Sequence, residues 1–255
     1  MTSEFAELSR GLAPVFLVEK IPEGDHGVLD GAEGRHAAAV RRLRGGEELV
    51  ITDGRGSAAD CVVDTVTGKE ALDLRVVRRW RQPAPAPRVV LAQALVKGDR
   101  GELAVELATE TGVDAIVPWR AQRCVARWDD GPRGAKALAR WRSTVREAAK
   151  QSRRTWLPDV AEPVDTTRLV DLVGASAAAV VLDAGAQDAL ADLNLPTEGD
   201  LVLIVGPEGG ITEFELSRLA AAGAQVARLS PTVLRASTAA AAAISALGVL
   251  TTRWR

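Results

Sequence analysis

The chain is 255 residues long, 47% apolar and 26% charged, with a formal net charge of −2. That length holds one large or two modest domains, and the composition excludes disorder, collagen, disulfide knots and a uniformly polycationic molecule. Only Cys61 and Cys124 are present, far apart and without close His or Cys partners, which excludes a thiolate metal cluster and suits a reducing compartment with two inert core thiols.

Met1 to Arg10 contains Glu4, Glu7 and Arg10 and no continuous apolar stretch, so no secretory signal is expected and the protein is expected in the cytoplasm. Short β-type runs follow at Pro14 to Ile21, Glu48 to Thr52, Ala59 to Val66 and Ala71 to Val77, separated by turn signals such as Asp53-Gly54 and Thr67-Gly68. One helix is expected at His36 to Arg44, where Ala37, Val40 and Leu43 recur at helical spacing before Gly45-Gly46. Together these runs specify a small β-rich domain over residues 1–81, a barrel in form. Gln82 to Pro87 then has proline at alternate positions, which breaks helix and central strand alike and marks a linker.

Beyond the linker, strands alternate with helices through 82–255. Val89 to Leu95, Ala115 to Pro118, Ala178 to Leu182 and Leu201 to Val205 read as strands; Gly101 to Thr111, Ala135 to Gln151 and Glu213 to Ala222 read as helices. The alternation specifies an α/β domain with a largely parallel sheet. Glu102, Glu106 and Glu110 share one helix face beside a Leu103/Leu107 stripe and need no catalytic explanation. Val233 to Leu250 contains Arg235 and many alanines, too little hydrophobicity for a membrane span, and reads as a buried helix.

Charge is unevenly distributed. Residues 120–154 carry eleven basic against three acidic side chains, whereas 165–227 carry ten acidic against two basic. A concentrated cationic surface interleaved with Trp119, Trp128, Trp141 and Trp156 attracts a polyanion such as RNA, although each tryptophan taken singly is expected in the core.

Two loops carry the chemistry. In Leu201 to Thr212, an apolar strand runs into Gly206-Pro207-Glu208-Gly209-Gly210, at the strand end where parallel sheets place ligands, and Thr212 with Glu215 forms a capping box. This is neither a Walker loop nor a dinucleotide fingerprint. The second loop, Leu229 to Ala239, follows a short strand; Pro231 bars pairing, Ser237 or Thr238 is expected to cap the next helix, and Arg235 is expected one turn before it. With Leu182 to Gly185, three loops are expected on one sheet edge.

Gly206-Pro207-Glu208-Gly209-Gly210, followed by Leu229-Ser230-Pro231 and Val233-Leu234-Arg235, resembles the SPOUT methyltransferases, and more narrowly the RsmE family of 16S rRNA (uracil(1498)-N(3))-methyltransferases. His36 with Val40-Arg41-Arg42, Asp53-Gly54-Arg55-Gly56, Lys97, Glu106 to Val113, Arg123 and Glu147 to Arg154 extend the resemblance over nearly the whole chain. It implies an N-terminal PUA-like barrel, a C-terminal α/β domain with a trefoil knot, S-adenosylmethionine as cofactor, a homodimer, and 16S rRNA in the small ribosomal subunit as partner, with no metal and no membrane. By resemblance, Leu182, Gly206, Glu208, Gly209, Leu229, Ser230, Leu234 and Arg235 contact the cofactor, and Arg42, Arg123, Arg153 and Arg154 contact rRNA. The family usually has an acidic residue where Ser237 stands, and an Arg near Val15; those roles do not transfer.

Methylation at uracil N3 requires alignment with the methyl donor and loss of the N3 proton. Arg235 is the expected stabiliser of the uracil anion, with a phosphate contact or a structural brace as its alternatives. Glu208 is expected to support the cofactor loop; balancing the sulfonium, positioning Arg235 or accepting the proton stay open, as does a helix-dipole role. Two other functions remain compatible: a non-catalytic RNA-binding or ribosome-assembly protein, and a ribose 2′-O-methyltransferase of the same superfamily.

Overall fold

The structure, a computed structural model, describes residues 13–254; the reading of Met1 to Arg10 falls outside them. The chain divides into two compact units between Ala84 and Pro85, inside the proline-rich segment. Ala149–Leu157 belongs to the first unit, and the chain from Pro158 onward belongs to the second.

In the first unit, β1 (Val15–Leu17) runs parallel to β3 (Glu48–Thr52). Strands β4 (Ser57–Thr67), β5 (Ala71–Arg81) and β2 (His26–Leu29) then add antiparallel, giving the order β1-β3-β4-β5-β2. Along β5, Leu72, Leu74 and Val76 are buried while Asp73, Arg75 and Val77 are exposed, the two-residue alternation of a sheet with one wet face. Register shifts at Asp60/Cys61 and Val63/Thr65 bend β4 around a core of Phe16, Leu29, Leu49, Ile51, Leu72 and Leu74. The helix expected at His36 to Arg44 is different in form: α1 (Gly31–Arg35) passes into one π-helical stretch, His36–Val40, and helical backbone ends before Arg42, whose φ is 56°. Ala37 still packs into the core.

Part of the cationic segment is consumed by this unit. Lys150 Nζ lies 3.2 Å from Glu33 Oε2 and 3.1 Å from His36 Nδ1, with both ionic side chains nearly buried. Trp156 Nε1 donates to the Gln82 carbonyl at 3.1 Å. Burial pushes the Cys61 thiol up to about 11 and raises that of Cys124 in the second unit, so both sulfurs stay protonated and unreactive.

The second unit is built on a six-stranded, wholly parallel sheet. Its strands are β6 (Arg88–Ala94), β7 (Ala115–Trp119), β8 (Asp159–Val160), β9 (Ala178–Leu182), β10 (Asp200–Val205) and β11 (Ala224–Ala227), in the order β11-β9-β10-β6-β7-β8. The central strands are continuous apolar runs because both faces are covered. Among the described residues the α-helices from Pro85 onward are α2 (Arg100–Glu110), α3 (Pro132–Gln151, whose residues from Ala149 belong to the first unit), α4 (Thr166–Ala175), α5 (Glu213–Ala221) and α6 (Ala236–Leu250). Helix α6 buries Ala240, Ala243, Ile244 and Leu247 and packs on α2, β6 and β10, while α4 packs on α5.

The chain grows from β6 outward to β7 and β8, then returns to the other side of β6 with β9, β10 and β11. Ala227, Leu182, Val205 and Gln93 lie side by side at the carboxyl ends of four adjacent strands. The reversal of strand order beside β6 is therefore a switch point, and the loops leaving these ends share one edge. Among the described residues no helix is long and apolar enough to cross a membrane, and no His/Cys/Asp/Glu group has the makings of a metal site.

Candidate functional site

Strand β10 ends at Val205, and Gly206 opens the turn because the chain doubles back tightly: a Cβ there would sit 2.6 Å from Ile211 Cγ1. Gly210 closes the turn with φ +73°, and its N–H donates to the Pro207 carbonyl at 2.9 Å. Helix α5 then starts with the expected capping box, Thr212 Oγ1 accepting from the Glu215 amide and Glu215 Oε2 from the Thr212 amide, each at 3.2 Å.

Glu215 does more than cap. Its carboxylate is fully buried, and Oε1 accepts from the Gln122 amide and from Thr166 Oγ1, both at 2.9 Å, while Thr166 Oγ1 accepts from Trp119 Nε1 at 3.2 Å. The buried charge is compensated by its donors and by the N-terminal dipole of α5. It fastens the loop after β7 and the start of α4 to the turn after β10. Sequence reasoning saw only the local half of this arrangement; the partners on Gln122 and Thr166 have no local signal.

Two faces diverge from the turn. On one, Glu208 Oε1 accepts from the Lys97 amide at 3.4 Å and lies 3.9 Å from Arg100 Nη1, and Arg123 Nη1 donates to the Gly209 carbonyl at 3.1 Å. Glu208 here lines a groove of about 880 Å³ together with Lys97, Arg100, Leu103 and Val125. On the other face, the loops after β9 and β11 enclose a cavity of about 80 Å³ lined by Leu182, Asp183, Leu229, Ser230, Val233 and Leu234, among others. Their loops are stitched together: the Asp183 amide donates to the Ala227 carbonyl, and Arg228 Nη1 to the Ala186 carbonyl, each at 3.1 Å. Ser230 Oγ donates to the Thr232 carbonyl at 2.6 Å, which fixes the bend before Pro231 gives way to α6.

The structure therefore gathers Leu182, Leu229, Ser230 and Leu234 around one cavity, with Gly206 following the residue paired to Leu182. Glu208 and Gly209 turn toward β6 and β7, and the partners of Glu208 are Lys97 and Arg100 rather than Arg235. Arg235 is not one turn before α6, as expected, but its N-cap: the backbone carbonyl accepts from the Thr238 and Ala239 amides at 2.9 and 2.8 Å, no side chain caps the helix, and Ser237 is buried in the first turn. This correction follows from backbone geometry, since helical φ/ψ begins one residue before either hydroxyl could act as cap. The Arg235 side chain is exposed and has no ion-pair partner among the described residues. Of the expected RNA contacts, Arg42, Arg153 and Arg154 lie in the first unit, and Arg123 is engaged by the Gly209 carbonyl in the second. Trp119 and Trp141 are buried, whereas Trp128 is half-buried, edge-on to Trp141.

Residues 82–248 match the family model of an RNA methyltransferase domain, and residues 29–77 match that of an RNA methyltransferase PUA domain. The chain is 51% identical, over 95% of its length and 94% of the relative's, to ribosomal RNA small subunit methyltransferase E of Mycobacterium tuberculosis. It is 29% identical to the protein of the same name from Bacillus subtilis, over 91% and 93% of the two chains. The fold superposes on ribosomal RNA small subunit methyltransferase E from Neisseria gonorrhoeae bound to S-adenosylmethionine with a TM-score of 0.82 at 28% identity, covering 94% of this chain and 98% of that one. Coverage of both units by one set of relatives, together with the loops that the parallel sheet delivers to a single edge, assigns the chain to the ribosomal RNA small subunit methyltransferase E family.

Proposed function

We propose that the protein transfers a methyl group from S-adenosylmethionine to uracil N3 at position 1498 of 16S rRNA in the small ribosomal subunit. The observation that carries the reading is that the loops after β9, β10 and β11 leave the same carboxyl edge of one parallel sheet, those after β9 and β11 enclosing a cavity. The lining of the small cavity suits a nucleoside cofactor: Leu182, Leu229 and Leu234 offer apolar surface, and Asp183, Ser230 and Thr232 offer polar groups. When bound, the cofactor supplies a methyl on a sulfonium, which needs neither a covalent enzyme intermediate nor a metal.

The chain's own residues have two tasks. Leu182, Leu229, Ser230 and Leu234, with Gly206, would hold the donor in register with the base, and alignment of this kind removes up to roughly 7–11 kcal/mol of barrier in favourable systems. Arg235, permanently cationic and without a partner among the described residues, would stabilise the uracil anion left when N3 loses its proton. Glu208 holds the turn against β6 through Lys97 and Arg100.

At about 80 Å³ the cavity is well below the roughly 300–1,000 Å³ of small-molecule sites. A second copy of the chain would supply the missing wall, and the exposed Val233, Val249 and Leu250 around α6 offer apolar surface for it; a homodimer accordingly belongs to this reading, and a trefoil knot of the C-terminal segment enters it on the family resemblance alone. A small-subunit rRNA substrate supports a cytoplasmic location for the enzyme. Calorimetric titration with S-adenosylmethionine tests it: saturable binding near one equivalent per chain is expected, and its absence would leave a non-catalytic RNA-binding protein.

A further inference from the structure

A second groove, about 360 Å³, opens beside the loop after β6. It is lined by Lys97, Arg127, Trp128, Arg133, Arg140 and Glu102, with Asp99 also contributing. Four cations thus meet two carboxylates, and Glu102 is already paired to Arg140 at 3.2 Å. Arg127, Arg133 and the Lys97 ammonium have no hydrogen-bond or ion-pair partner among the described residues. A concave surface left with unspent guanidinium groups attracts phosphate.

The same groove contains an aromatic surface held in place. Trp128 packs edge-on against buried Trp141, with centroids 4.9 Å apart and planes at 75°, and remains half-buried. The chain just after it is held: Arg120 Nη2 donates to Asp130 Oδ1 at 2.7 Å, and Asp129 Oδ1 accepts from the Gly131 and Gly134 amides at 3.2 Å. A braced indole next to unpaired arginines is the combination that holds single-stranded nucleic acid, the ring stacking a base while the cations meet its phosphates. The groove shares Lys97, Gly98, Asp99 and Glu102 with the larger one that Glu208 lines, so it adjoins the turn after β10.

We propose that this groove binds an unpaired nucleotide next to the methylated uridine, with its base on Trp128 and its phosphates between Arg127 and Arg133. The assignment rests on the RNA-methyltransferase reading for what the strand is, but RNA affinity can be read without turnover. The probe is a fluorescein-labelled single-stranded RNA carrying the target uridine and its flanks, titrated into the full-length protein at several salt concentrations. Arg127→Gln/Arg133→Gln should weaken binding about tenfold or more and flatten the slope of log K against log salt by about 1.4, the value for two single-strand phosphate contacts. Trp128→Leu should weaken binding about tenfold with the slope unchanged, because stacking releases no counterions.

S-adenosylmethionine affinity should match wild type in both variants, and with ribosomal subunits as substrate KM should rise while kcat holds. Wild-type RNA affinity and slope in the double arginine variant, which removes only surface charge and so keeps the test independent of folding, would overturn the proposal. Weakened RNA binding in the variants alongside a wild-type protein that transfers no methyl would support the groove and defeat the enzymatic reading alone.

Discussion

Arg235→Ala should lower kcat for methyl transfer about 100- to 1,000-fold, the usual consequence of removing one group aimed at developing charge. S-adenosylmethionine and RNA affinities should change only a few-fold. The structure makes this a clean substitution. Arg235 caps α6 through its backbone carbonyl, which alanine retains, and its side chain is exposed and makes no ion pair among the described residues. The helix should therefore start as before while the cation is lost beside Leu234, which lines the cavity. Arg235→Lys should recover part of the rate, since charge is kept and the planar fork is not. Single-turnover assays separate the step from binding, and wild-type turnover in the alanine variant would remove Arg235 from the chemistry.

The second large effect is on stability. Arg253→Ala should reduce the free energy of unfolding by about 3–5 kcal/mol, because it removes one member of a buried, hydrogen-bonded ion pair. Arg253 and Asp114 are 6% and 8% exposed, with Nη1 and Oδ2 2.7 Å apart. Arg253 also donates to the Pro87 and Gly112 carbonyls, and Asp114 Oδ2 accepts from the Val89 amide at 2.8 Å. These contacts fasten the end of α6 to the first strand of the parallel sheet and to the turn before β7, so the loss should also loosen α6. Urea unfolding measures it, and the double variant Asp114→Asn/Arg253→Met should regain much of the deficit because the buried carboxylate charge goes too. A loss below about 1 kcal/mol in Arg253→Ala would mean that water compensates the pair.

Local signals were legible wherever the chain obeys a period or a cap. The apolar runs Glu48 to Thr52 and Ala178 to Leu182 are strands with those limits, and Thr212 with Glu215 is the expected cap of α5. Strand β2, His26–Leu29, escaped because it is a four-residue edge strand with a single buried position, leaving no alternation to detect. Helix α4 escaped although Asp165 accepts from the Arg168 amide as its N-cap and Leu169 and Val173 form its buried stripe; ten residues give only two such positions.

The π-helical stretch at His36–Val40 illustrates a different limit. Apolar spacing announces a helical face but does not distinguish i+4 from i+5 backbone bonding. At the site, the loops at Gly206 and Leu229 were legible as glycine- and proline-punctuated strand ends. What they fold against was not, since Glu208 with Lys97, Arg123 with Gly209, and Glu215 with Gln122 join residues some 86 to 111 positions apart. Such pairs depend on strand order, which periodicity does not encode. The charge asymmetry was legible as a block, yet its members separate in the fold: Lys150 is nearly buried against Glu33, whereas Arg127 and Arg133 line an open groove.

Small ribosomal subunits lacking the modification, incubated with the protein and labelled S-adenosylmethionine and then digested to nucleosides for mass spectrometry and mapping, test the central claim most directly. The account predicts N3-methyluridine at position 1498 of 16S rRNA and at no other site. Label on a ribose 2′-oxygen, or no label in rRNA at all, would contradict it.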